Sequence, residues 1–199
     1  MKKVLPVLFS LFFLLQANAN VAPAFFPEAS ELISEERVKL GIENLAKKLQ
    51  KEFTEKKISE ITFVVLMKGG ICFAADLMRC LDIPLHLETI QTKSYGMNGK
   101  IAGQLQIFGL DELDLTGKDV LVVDDIFDTG KTLHKVMEEI EKKKPKSLYS
   151  VVLLDKVACH KTSYKPDYTV FEIDNHFVVG YGMDFKELGR NIPGVWSLD

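Results

Sequence analysis

Apolar and polar positions alternate in two periods along this chain. Ile61–Met67 is an unbroken apolar and β-branched run. Asp119–Val123 and Leu148–Leu154 hold two more such runs, and segments of that kind read as strands buried on both faces. Elsewhere the period lengthens. Ser34-Glu35-Glu36 opens a stretch with Val38, Leu40, Ile42, Leu45 and Leu49 at mostly helical spacing. Ile71–Leu81 and Thr132–Lys144 read as further helices, the second ending before Pro145. Leu85–Ile90, Leu105–Phe108, Tyr168–Ile173 and Phe177–Tyr181 are shorter strand candidates. Strands alternating with helices predict an α/β fold with a mainly parallel sheet. Thr92–Gly103, with Gly96, Gly99 and Gly103 and few apolar residues, reads as a long mobile loop.

Composition sharpens this at the N-terminus. Lys2 and Lys3 precede the nearly continuous apolar run Val4–Leu15, and Ala17 and Ala19 occupy the −3 and −1 positions of a cut after Ala19. That three-part pattern predicts a secretory signal peptide over residues 1–19, an exported protein, and a single domain over 20–199. The net charge of −3 for the 199 residues offers no basic surface for a nucleic acid to follow. Cys72 and Cys80 lie eight residues apart on one expected helix, roughly 12 Å by helical rise, too far for a disulfide. Together with Cys159 they read as free thiols. His86, His134, His160 and His176 show no metal-ligand spacing.

The densest chemistry lies in Asp119–Leu133. A buried strand delivers Asp124 and Asp125, a turn Asp128-Thr129-Gly130-Lys131-Thr132 follows, and a helix begins. Unpaired N–H groups at a helix N-terminus bind phosphate. Gly-Lys-Thr resembles a nucleoside-triphosphate loop, but that motif needs glycine where Asp125 stands. Two carboxylates beside a phosphate turn suit a phosphorylated, hydroxylated ring such as ribose 5-phosphate, with Mg²⁺ nearby.

Val122–Thr132 resembles the phosphoribosyl-diphosphate signature of type I phosphoribosyltransferases. Three further motifs, in family order, are similar to those of the hypoxanthine-guanine phosphoribosyltransferases: Leu66–Gly70, Lys93–Gly96, and Phe177–Asp184 with Arg190. The resemblance implies the type I fold, with a small hood made by the N- and C-terminal segments and a mobile lid. It implies transfer of phosphoribosyl from 5-phosphoribosyl 1-diphosphate to hypoxanthine or guanine with Mg²⁺. The alternatives are a transferase for xanthine or another base, and a nucleotide-sensing or RNA-binding relative on the same fold.

By the same resemblance, Asp128 is the catalytic base. Asp124, Asp125, Thr129, Gly130, Lys131 and Thr132 hold ribose and 5-phosphate. Lys68, Gly69 and Arg190 bind pyrophosphate, with a strained Met67–Lys68 peptide. Lys156, Phe177, Val178 and Asp184 bind the 6-oxopurine, and Ser94 and Tyr95 belong to the lid. Asp124, Asp125 and Asp184 are the expected metal residues. The partners implied are small-molecule substrates and other copies of the chain, as a homodimer or homotetramer. The family works in the cytosol, where phosphoribosyl diphosphate is made, and this stands against export.

Overall fold

The computed structural model describes residues 22–94 and 105–199. The elements in order are β1 (Ser30–Ile33), α1 (Glu35–Glu55), β2 (Ile61–Met67), α2 (Ile71–Cys80), β3 (Leu85–Ser94), β4 (Leu105–Phe108), β5 (Asp119–Phe127), α3 (Lys131–Glu141), β6 (Ser147–Asp155), β7 (Tyr168–Glu172), β8 (Val178–Val179) and β9 (Val195–Ser197).

Ser34 starts α1 as its N-cap. Its hydroxyl accepts from the Arg37 N–H at 3.3 Å, and Glu35 and Glu36 complement the positive end of the helix. Val38, Ile42, Leu45, Leu49 and Phe53 form the buried stripe. Leu40, expected among them, is 57% exposed. It stands two residues from both Val38 and Ile42, which is about 200° around the helix and hence on the opposite face.

Six strands form the main sheet in the order β4-β3-β2-β5-β6-β7. All neighbours are parallel except the edge pair β3–β4. Alternate residues of the central strands serve opposite cores. Phe63, Val65, Leu121 and Val123 pack with α1 and α2 on one face. Val64, Leu66, Val120 and Val122 pack with α3 on the other. Burial of both faces explains why these strands read as solid apolar runs rather than alternating ones.

β3 runs on through Thr92, Lys93 and Ser94, which the glycine content had assigned to a loop. These residues pair antiparallel with β4, Ser94 opposite Leu105, and the ladder supplies the hydrogen bonds that no apolar pattern advertises.

A second, three-stranded antiparallel sheet, β1-β9-β8, joins the two ends of the chain and forms the expected hood. Between β2 and β5 the strand order reverses direction: β2 passes to β3 on one side, and β5 passes to β6 and β7 on the other. The carboxyl ends of two such strands diverge into a crevice, the ordinary place for a ligand in an open α/β sheet.

Candidate functional site

Both acidic residues lie inside β5, which continues past Val123, the residue where the sequence placed its end, as far as Phe127. Pairing with β6 (Asp124 opposite Val152, Phe127 opposite Asp155) carries the strand through them. Asp124 is buried, and its Oδ1 accepts the Asp125 N–H at 3.0 Å; Asp125 Oδ1 accepts the Ile126 N–H at 3.0 Å. Burial pushes the Asp124 carboxyl well above the usual carboxylate range, and the neighbouring Asp125 charge pushes it further. Burial also raises Asp125, while hydrogen bonds and the positive charge of Arg190 oppose the rise.

A carboxyl raised in the folded state favours folding at low pH, where it is protonated. That contribution is lost as pH rises from the ordinary carboxylate range through the raised folded value. At neutral pH the pair therefore costs the ligand-free chain stability. Asp124→Asn keeps the acceptor for the Asp125 N–H and removes one charge. It should raise the melting temperature at pH 7 by about 2–4 °C, equivalent to roughly 1 kcal/mol in a chain of this size. The gain should shrink as pH falls toward 4. A melting temperature that is unchanged or lower at pH 7 would mean that the pair is already compensated.

The turn after β5 leads into α3 through Gly130, whose φ is +80°. A side chain at Gly130 would need the left-handed conformation and would press on the Phe127 ring at 2.5 Å and on Thr162 Oγ1 at 2.7 Å. Among the described residues no side chain caps α3, which leaves the N–H groups of its first turn available to an anion. The Lys161 N–H anchors the turn by donating to the Thr129 carbonyl at 2.9 Å. Thr129 and Thr132 are half-buried, whereas Asp128 and Lys131 are exposed.

Lys156 follows β6, and its backbone N–H donates to the Phe127 carbonyl at 2.9 Å. Only 8% of its side chain is exposed, and its Nζ stands 3.5 Å from Asp128 Oδ2. A buried lysine facing a carboxylate is a far stronger signal than the lone lysine of the sequence. Beside it, Asp155 Oδ1 and His160 Nε2 are 2.5 Å apart, a partly buried pair that the sequence did not single out.

Phe177 is 47% exposed. The Phe185 ring stands edge-on to it at 5.5 Å, and its backbone N–H donates to Asp199 Oδ2 at 3.0 Å. Val178 is buried in β8 opposite Ser197.

At the end of β2 the Met67–Lys68 peptide is cis. Gly69 lies so close to Asp125 that a Cβ would overlap the carboxylate. Gly182, at φ +100°, lies so close to Gly69 that its own Cβ would overlap the Gly69 carbonyl. The β2 turn is thus wedged between the acidic pair and the segment carrying Asp184 and Arg190. Tyr181 adds a tie, since its hydroxyl donates to the Asp76 carboxylate on α2.

Arg190 Nη1 donates to the Gly182 carbonyl at 2.8 Å, and its Nη2 pairs with Asp184. Asp184 Oδ2 also accepts the Glu187 N–H at 2.8 Å. Glu187, on which no motif fell, reaches both Lys68 and Arg190. A glutamate three residues before Arg190 was the one available hint.

Gly69, Thr92, Asp124, Asp125, Asp128 and Thr132 share one hollow of about 340 Å³. Lys156 reaches it through Asp128, and Arg190 and Asp184 reach it past Gly69. A hollow of about 560 Å³, bordered by Leu32, Arg37 and Phe171, contains none of the expected site residues. Of the lid residues, Ser94 ends β3 and Tyr95 lies outside the described residues, as does the segment 1–19.

The family model of the phosphoribosyl transferase domain matches residues 28–186. The hypoxanthine-guanine phosphoribosyltransferase of Aquifex aeolicus is 38% identical over 84% of this chain and 93% of its own length. The hypoxanthine phosphoribosyltransferase of Haemophilus influenzae is 37% identical over 81% and 90%. Among solved structures, the Trypanosoma cruzi hypoxanthine phosphoribosyltransferase in complex with its product IMP superposes with a TM-score of 0.79, at 31% identity over 87% of this chain and 95% of that one. A Bacillus anthracis hypoxanthine-guanine phosphoribosyltransferase gives 0.77, at 35% identity over 84% and 97%.

These matches correct one expectation. Export was expected from residues 1–19, but the family match begins at residue 28, and the similarity runs over nearly the whole length of enzymes named as hypoxanthine phosphoribosyltransferases. An apolar run with small residues after it is a pattern of composition, and nothing in the similarity points to a signal peptide there.

Proposed function

Because the chain belongs to the phosphoribosyl transferase domain family, we propose that it salvages purines by transferring phosphoribosyl from 5-phosphoribosyl 1-diphosphate to hypoxanthine or guanine, releasing IMP or GMP and pyrophosphate. The observation that carries this reading is the convergence, at the β2/β5 reversal, of a helix N-terminus, the buried Asp124 beside the half-buried Asp125, and the buried Lys156 facing Asp128.

Each group has a task that its surroundings suit. The turn from Asp128 to Thr132 receives the 5-phosphate on α3's free N–H groups. Asp124 and Asp125 accept from the ribose hydroxyls. Lys68, the Gly69 backbone and Arg190 hold the diphosphate, for which a forked cation is well shaped. Phe177 stacks its exposed face on the base, the Val178 backbone reads the base's edge, and Lys156 donates to the 6-oxo oxygen. Asp128 takes the proton as the base nitrogen attacks C1 of the ribose and the diphosphate departs. Ser94 and Tyr95 belong to the lid that excludes water from a cation-like sugar centre.

The donor set suits Mg²⁺. Asp124 and Asp125 are hard oxygen ligands with raised carboxyls and no ion pair among the described residues. Two carboxylates completed by substrate oxygens are the usual way this ion is held, and no all-protein cage is required. Asp184 keeps lone pairs for the ion or for a base amine beyond those engaged by Arg190 and Glu187. When bound, the ion neutralises charge on the leaving diphosphate. Family membership also supports a homodimer or homotetramer, and the acidic net charge supports small molecules rather than nucleic acid as partners.

A base panel tests the reading. With phosphoribosyl diphosphate and Mg²⁺, hypoxanthine or guanine should turn over while adenine lags by at least about tenfold. Turnover of xanthine alone would move the assignment to that base. No turnover of any base, with retention of RNA, would remove it.

A further inference from the structure

The two cations assigned to pyrophosphate are already bridged by an anion of the chain itself. Glu187 Oε2 lies 2.9 Å from Lys68 Nζ and 3.5 Å from Arg190 Nη2. One carboxylate oxygen thus sits between both positive groups, the position a diphosphate oxygen would need in order to meet both.

The local fold holds Glu187 there. Lys186 and Glu187 adopt left-handed backbone conformations, with φ of +53° and +66°. The tight turn is closed by mutual hydrogen bonds between Phe185 and Leu188 at 3.0 and 3.1 Å, and the Glu187 N–H is pinned to Asp184. Two non-glycine residues in that conformation carry a conformational cost, so the turn is maintained by its surroundings.

The three side chains differ in freedom. Arg190 is anchored by the Gly182 carbonyl and Asp184, and its side chain is only 26% exposed. Lys68 and Glu187 are 59% and 69% exposed, on long flexible stems. Exposed pairs of this kind are weak, so a multiply charged diphosphate displaces the carboxylate readily. Once displaced, Glu187 stays within reach as a like charge beside the bound anion.

We infer that Glu187 is a displaceable occupant of the pyrophosphate site that sets how tightly pyrophosphate is held and how readily it leaves. This rests on the reading of Lys68 and Arg190 as pyrophosphate residues.

The test measures binding of magnesium pyrophosphate by calorimetry, together with product inhibition by pyrophosphate. Glu187→Gln removes the charge and keeps the shape of an exposed side chain. It should tighten binding about two- to tenfold, from the loss of one or two exposed ion pairs. The inhibition constant should fall by the same factor, and the KM for the base should not move. The gain should shrink in a Lys68→Met background to the part owed to Arg190, which a purely structural effect would not do. Lys68→Met and Arg190→Gln alone should each weaken binding. If they weaken it while Glu187→Gln leaves it unchanged, the inference about Glu187 falls and the site assignment stands. If neither weakens it, the site assignment fails and the inference fails with it.

Discussion

Asp128→Asn should lower turnover by about 10²–10⁴-fold, the usual contribution of a positioned general base. The melting temperature should fall by a few degrees at most, because asparagine keeps an oxygen for the buried Lys156 ammonium but no longer balances its charge. An aspartate just before a helix is usually a cap, and capping is the competing explanation for this residue. The geometry removes it. The N-cap of α3 is Gly130, with no side chain bonded to the first turn. The Asp128 carboxylate is 49% exposed and faces Lys156 Nζ at 3.5 Å. Asparagine keeps an oxygen for that lysine but cannot take a proton from a purine nitrogen. The loss should therefore appear in kcat, with little change in KM for phosphoribosyl diphosphate. Retained kcat would place the base elsewhere.

Lys156→Ala should cost hypoxanthine and guanine about 10- to 150-fold in kcat/KM, the range for a lost hydrogen bond to a charged donor of about 1.5–3 kcal/mol. Adenine, which has no 6-oxo acceptor, should lose much less. The size of the effect follows from burial: with 8% of its side chain exposed, the ammonium has little water to fall back on when the acceptor is absent. Lys156→Met fills the same space without the charge and separates lost recognition from a cavity. Equal losses for all three bases in both variants would show that Lys156 supports the fold around Asp128 rather than reading the purine.

The two variants also probe each other. Lys156 and Asp128 face one another across the end of the β5/β6 pair. Their effects on kcat/KM should fall short of additive in the double variant, as residues in one network do.

Much of the architecture was legible in the chain. Solid apolar runs identify β2, β5 and β6, because a strand covered on both faces has no polar side to show. Ser34 with two glutamates marks the start of α1, and Gly130 marks a turn that only glycine tolerates. Four motifs in order were enough to point to the family that the matches establish. These features were readable because each depends on a residue's own conformational preference or on near neighbours in sequence.

Other features needed the tertiary structure. β1 and β9 are four and three residues long, too short to carry a period, and exist because the chain's two ends pair. Asp124 and Asp125 read as delivered just past a strand ending at Val123, yet the ladder with β6 carries the strand through them, and burial there raises their carboxyls. Lys156 was marked out among 25 lysines and arginines by the family resemblance alone, and its burial against Asp128 came only with folding. Glu187 belonged to no motif until residues 119 positions apart brought Lys68 beneath it. Local preference and hydrophobic period act over a few residues, and so they determine elements and turns. Burial of charge and the pairing of distant ions depend on which elements pack together, and only the assembled sheet and hood decide that.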